Sequence, residues 1–163
     1  MKKLIITGLG TGYLPIAPGT WGSAAVAAIW LAVVAGSGGR WHCVAGTMAM
    51  AVIAVAASIG CVALGDFAER AFGKKDPGQV SLDEWAGQAV AYLLLPIPAD
   101  WTGRLIVAGA GFLAFRVMDI VKPPPANGLQ RIQGGWGILI DDLIAGAYAN
   151  LLCQVIFRAV MKW

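Results

Sequence analysis

Five stretches of the chain are nearly free of charge, and polar punctuation separates them. Residues 20–36 (TWGSAAVAAIWLAVVAG) open on Thr20, a residue suited to cap a helix N-terminus. Residues 43–65 carry no charge, which is length enough to cross about 30 Å of hydrocarbon at about 1.5 Å per residue. Residues 85–98 (WAGQAVAYLLLPIP) are shorter, and Pro96 and Pro98 end them because proline cannot continue a helix. Residues 103–118 are rich in Gly and Ala, which let helices approach closely. Residues 137–160 form a last long run with Asp141 and Asp142 inside it. No period-two alternation competes with these runs. The pattern predicts an all-α, polytopic bundle of membrane helices, built as one domain over residues 1–163. Segments 20–36 and 85–98 are short enough to tilt or re-enter rather than span.

Composition supports the bilayer reading. The chain is 58% hydrophobic and 13% charged, whereas soluble domains are about 25% charged. A formal net charge of +3 is too small to suggest nucleic acid. The start, Met1-Lys2-Lys3-Leu4-Ile5-Ile6, resembles a secretory signal, but its apolar run breaks at once into Thr7–Gly12. A cleavable signal needs a longer apolar core, so a retained N-terminus is expected. Cys43, Cys61 and Cys153 all lie in apolar stretches and read as small buried residues rather than disulfide partners or metal ligands.

If all five segments cross, residues 1–19, 66–84 and 119–136 share one side. That side holds Lys2, Lys3, Arg70, Lys74, Lys75, Lys122 and Arg131. The other holds Arg40, Arg104, Arg158 and Lys162. The excess assigns the first side to the cytoplasm. The acids sort the same way. Asp66, Glu69, Asp76, Asp83, Glu84 and Asp119 are cytoplasmic, Asp141 and Asp142 lie about a turn from that end, and only Asp100 is on the far side.

Asp83-Glu84 opens a helix, where carboxylates interact well with the helix dipole. Asp141-Asp142 sits inside an apolar helix, where acids are costly and face a partner or a wet cavity. Two explanations stand: an ion pair to Arg116 or Lys122, or a divalent metal. Clustered carboxylates with His42 as the sole histidine favour a hard cation, and Mg²⁺ fits. Gly19, Thr20 and Ser23 belong to a Gly/Pro turn leading into a helix N-terminus, which either merely starts the helix or holds an anion. Lys122, before three prolines, is either a snorkelling interfacial lysine or a cation for phosphate, and Asp119 is placed to pair with it.

Several phosphatase chemistries are excluded. No cysteine is followed by an arginine six positions on, no Asp-x-Asp occurs, and no histidine lies near the acids. The spaced aspartates of a CDP-alcohol transferase are also missing. Metal-assisted attack of water on a phosphate survives. The alternative is a small ion or metabolite transporter using the intramembrane acids, but crowding at one face argues against a path through the bilayer.

Four motifs occur in order: Gly10-x-Gly12-x-x-Pro15-x-Ala17-Pro18-Gly19-Thr20-x-Gly22-Ser23, Asp76-Pro77-x-x-Val80-x-Asp83-Glu84-x-x-Gly87, Phe115-Arg116-x-x-Asp119-x-x-Lys122-Pro123, and Gly134-Gly135-x-Gly137-Ile138-x-x-Asp141-Asp142-x-x-Ala145-Gly146. Together they resemble the phosphatidylglycerophosphatase A family across nearly the whole chain. The resemblance implies an Mg²⁺-dependent enzyme of the bacterial inner membrane, with its site facing the cytoplasm and a central helix surrounded by others. It implies removal of the terminal phosphate of phosphatidylglycerophosphate, a phospholipid within the membrane, with no obligatory protein partner. On that reading Asp83, Glu84, Asp141 and Asp142 are catalytic and bind metal, joined by Asp76 and Asp119 as metal ligands or their support. Gly19, Thr20, Ser23, Lys122 and Arg131 bind substrate. The family pattern implied by the resemblance places an Arg and an acid after Lys122-Pro123, where this chain has Asn127 and Gln130 and retains Arg131.

Overall fold

The computed structural model describes residues 1–37, 42–125 and 134–162. Among these the chain is helical, with no strand. A short α1 (Lys2–Ile6) leads through a 3₁₀ turn, Thr11–Tyr13, to α2 (Pro18–Gly36). Then come α3 (His42–Phe72), α4 (Leu82–Ala91), α5 (Trp101–Val121) and α6 (Gly135–Gln154), which runs on as a π-helical turn, Val155–Val160. Among the described residues, three helices are long and apolar enough to cross a membrane: Pro18–Gly36, Cys43–Phe72 and Gly135–Val160.

Helix α2 starts earlier than the sequence suggests. Ala17 is the N-cap and Pro18 opens the helix, so Thr20 lies in the first turn. Proline suits that position because its missing N–H would have no intrahelical partner there. Two further expectations need correction. Cys43 is exposed, while Cys61 and Cys153 are buried and free. Asp119 pairs with Arg116 at 3.0 Å, one helical turn back, and not with Lys122.

The central element is α4. It packs against α2, α3, α5 and α6, and Leu82, Asp83, Ala86, Gly87, Gln88, Ala89 and Ala91 along it are buried. Its crossing of α6 has almost no side chain in it. Gly87 meets the Asp142 carbonyl and the Phe115 ring, and Gly146 meets the Gly87 carbonyl. Aromatic contacts fix the other sides. Tyr92 stacks on Trp30 of α2 at 5.2 Å between ring centroids, and its hydroxyl donates to the Ala108 carbonyl of α5 at 2.5 Å.

Residues 85–98 do not form one helix. Helix α4 has 10 residues, about 15 Å at the α-helical rise, and the chain continues through turns and non-helical backbone to Trp101. That continuation reaches the end of the bundle opposite the acids. There Arg104 donates to the carbonyls of Pro98, at 3.0 Å, and Val34, at 3.4 Å. A helix ending inside a bilayer leaves carbonyls with no water to satisfy them. The last helix supplies the donors from one face, at i, i+4 and i+8. Asn150 donates to Ala91 and Leu93, Gln154 to Leu93 and Leu94, and Arg158 to Leu94. Replacing Asn150 by Leu is expected to lower stability by about 1–3 kcal/mol, because partly buried carbonyls lose their donor. A thermal melt in detergent measures it, and a melt unchanged from wild type would show that other groups cap the helix.

Exposed tryptophans mark the two ends. Trp21 and Trp136 are exposed near the starts of α2 and α6, and Trp101 at the start of α5. The first two lie at the end that holds the acids, the third at the opposite end. Such rings favour the membrane–water boundary.

Candidate active site

Helix α4 brings Asp83 and Glu84 to one end of the bundle in its first turn. The sequence favours carboxylates there, because helix N-termini carry partial positive charge. Across the glycine crossing, α6 presents Asp142, and the carboxylates of Asp83, Glu84 and Asp142 each place one oxygen within 4.8 Å of the others. Asp83 and Asp142 are buried and Glu84 is half-buried. Asp83 Oδ1 and Glu84 Oε2 are buried with no hydrogen-bond partner.

Three clustered carboxylates in a half-dry site repel strongly unless a positive charge sits among them. Unsatisfied buried oxygens are rare in folded proteins and need an explanation. The donors are all oxygen, with neither thiolate nor imidazole, so the residues fit a hard divalent cation.

Helix α2 contributes its first turn. Gly19 lies directly against the Glu84 carboxylate, where any Cβ would collide with it. The helix start therefore seats a carboxylate of the protein itself. Thr20 is half-buried beside it. Ser23 is buried and points inward: its hydroxyl donates to the Gly19 carbonyl at 3.0 Å and accepts from Arg116 Nη1 at 3.5 Å.

Asp141 is not one of the three converging carboxylates and pairs with Lys122 instead. Its Oδ2 accepts a hydrogen bond from Lys122 Nζ at 2.5 Å, and the pair is largely buried on the Asp141 side. The ion-pair explanation therefore holds for Asp141, while Asp142 belongs to the carboxylate cluster. Burial works against the Lys122 ammonium, but the hydrogen bond and charge of Asp141, with the charges of Asp142 and Asp119, outweigh it and raise its pKa. Lys122 stays protonated at neutral pH as a fixed cation.

Asp119 lies one turn before Lys122 near the end of α5, held by Arg116. Asp76 stands in the exposed turn before Pro77 with a left-handed φ of 47°, a conformation aspartate tolerates better than most residues. It is not among the three carboxylates that converge. Arg131, Asn127 and Gln130 lie outside the described residues. Sequence reasoning missed Arg116 as a group linking α2 to α5. The signal available was the i,i+3 spacing of Arg116 and Asp119.

Comparisons with known proteins identify the family. The profile of the phosphatidylglycerophosphatase A family matches residues 4–157. A Bacteroides thetaiotaomicron protein provisionally named a phosphatidylinositol-3-phosphatase is 33% identical over the full chain and 94% of its own length. The phosphatidylglycerophosphatase A of Escherichia coli K12 is 33% identical over 88% of the chain and 76% of its own length. That of Haemophilus influenzae is 32% identical over 98% of the chain and 88% of its own length. No solved structure matches the chain significantly. With its profile match, its bacterial relatives and its three membrane-length apolar helices, the chain belongs to the phosphatidylglycerophosphatase A family and is a bacterial membrane phosphatase.

Proposed function

We propose that the protein hydrolyses the terminal phosphomonoester of phosphatidylglycerophosphate, giving phosphatidylglycerol and phosphate, as a single-domain enzyme of the bacterial inner membrane with its site facing the cytoplasm. The observation that carries the reading is the convergence of Asp83, Glu84 and Asp142 at the membrane-surface end of an apolar bundle. Such a site can reach a headgroup while the acyl chains stay in the bilayer.

Asp83, Glu84 and Asp142 would hold Mg²⁺, with Asp119 beside Asp142 as support. When bound, the cation supplies Lewis-acid polarisation of the phosphate and lowers the pKa of water. The chain's own residues do the rest. Lys122 presents positive charge where the phosphoryl oxygens gain charge in the transition state. Asp141 holds the Lys122 ammonium in place and takes part in the acid centre through it. Gly19 and Thr20 shape the rim of the site, Ser23 holds Arg116, and Arg131 adds charge for the substrate. One acid, assigned here to Glu84, orients the attacking water. Asp76 contributes from the loop at the edge of the site.

Phosphate release from phosphatidylglycerophosphate in detergent micelles tests the reading. Activity is expected with Mg²⁺, to fall to background in EDTA, and to return when Mg²⁺ is added in excess. Full activity in EDTA would overturn the metal assignment. A flux of ions or metabolites into liposomes without lipid turnover would favour the transporter instead.

A further inference from the structure

Helices α2 and α5 are tied together at both ends. At the acid end Arg116 reaches Ser23, and at the other end Arg104 reaches the Val34 carbonyl. Between these ties lies a groove of about 380 Å³, walled by Ala24, Ala27, Ala28 and Leu31 on α2 and by Ala108, Gly109 and Phe112 on α5. Small residues usually let helices close on each other. Here they leave an open channel on the outer surface of the bundle.

Position along α2 orders three features. Gly19 touches the Glu84 carboxylate, Ser23 meets Arg116 one turn on, and the groove begins at Ala24. From Gly19 to Ser23 the rise is about 6 Å, and from Ala24 to Leu31 about 10 Å more. A phospholipid with a terminal phosphomonoester has the same order: monoester, phosphodiester, acyl chains. Arg116 uses Nη1 for both its contact to Asp119 and its contact to Ser23, and a guanidinium offers five donors. Planar recognition of a phosphate oxygen pair suits it.

We propose that the α2–α5 groove holds an acyl chain of the lipid substrate, with Arg116 at its mouth meeting the phosphodiester of the same molecule. The inference rests on the acid centre acting on a lipid phosphomonoester. It adds the path by which one lipid is picked out of the bilayer. Continuity with the acid centre through Ser23, and a cation where an anion must lie, select this occupant over a second copy of the chain.

Two measurements test the groove. The first compares kinetics on long-chain phosphatidylglycerophosphate with kinetics on the same headgroup carrying no acyl chain. Ala28→Trp and, from the opposite wall, Gly109→Leu are expected to raise KM for the long-chain lipid roughly tenfold or more. Turnover of the soluble headgroup should stay at the wild-type level, which also reports an intact fold. Ala63→Trp, in the similar apolar groove between α3 and α6, should change neither. Equal effects on both substrates, no effect, or an effect confined to Ala63→Trp would overturn the proposal.

The second measurement needs no activity. Ala28→benzoylphenylalanine is irradiated in phosphatidylcholine nanodiscs doped with phosphatidylglycerophosphate, with EDTA present. Adducts enriched in the phosphomonoester lipid above its bulk fraction are expected. Adducts at the bulk fraction, or capture of a second copy, would overturn the groove assignment. Lipid enrichment in a protein that hydrolyses neither substrate would instead place the failure in the catalytic reading.

Discussion

Asp142→Asn is expected to cut phosphate release by at least about 10³-fold and, at the same time, to stabilise the metal-free protein. Both effects follow from one arrangement. Asp142 shares a site with Asp83 and Glu84, all with ligand oxygens within 4.8 Å. Folding that site without a cation forces three carboxylates together in a medium of low dielectric. Removing one charge relieves the repulsion and should raise the melting temperature in EDTA by about 2–4 °C. With Mg²⁺ present the order reverses, because the wild-type protein gains binding energy that the variant lacks. The measurement is a pair of melts, with and without Mg²⁺, beside a turnover assay. Unchanged turnover would remove the Asp142 carboxylate from the centre. A lower melting temperature in EDTA would show that the charge is already paired within the protein.

Gly87→Val is the second large effect, and it acts through backbone. Gly87 lies against the Asp142 carbonyl, and Gly146 against the Gly87 carbonyl, so α4 and α6 meet main chain to main chain. A side chain at Gly87 cannot rotate out of the way of a helix backbone. The helices must move apart, at a cost of about 1–3 kcal/mol for overpacking of this kind. The same movement carries Asp83 and Glu84 away from Asp142, and a shift of about 1 Å can cost about 10²-fold in rate. Gly87→Ala and Gly146→Ala separate the same crossing, so their double variant should lose less than the sum of the two single losses. Melting curves and turnover of the four proteins check this. Strict additivity would mean that each glycine serves a different contact.

Much of the architecture is legible in the amino-acid sequence. Long uncharged runs need hydrocarbon or a core around them, and charge sorts to their ends, so the five main helices and the shared end of the acids follow from composition along the chain, while the short α1 does not. The break after α4 is half legible. Pro96 and Pro98 stop a helix, but the ending at Ala91 depends on Asn150, Gln154 and Arg158 of the last helix, which cap it. These three residues, about 60 positions later, show no local sign of that role.

The acids divide in the same way. Their residue types, and their place at one end of an apolar bundle, were set by the sequence alone, because burying a carboxylate in a bilayer is too costly to leave without purpose. The tertiary structure alone decided which acids meet. Asp142 joins Asp83 and Glu84, while its neighbour Asp141 turns to Lys122 and Asp119 to Arg116. Adjacent residues on a helix point about 100° apart, and here Asp141 meets Lys122 while Asp142 meets the cluster. Which of the two faces it depends on where α4 crosses α6, and the contact of Gly87 with Gly146 sets that crossing.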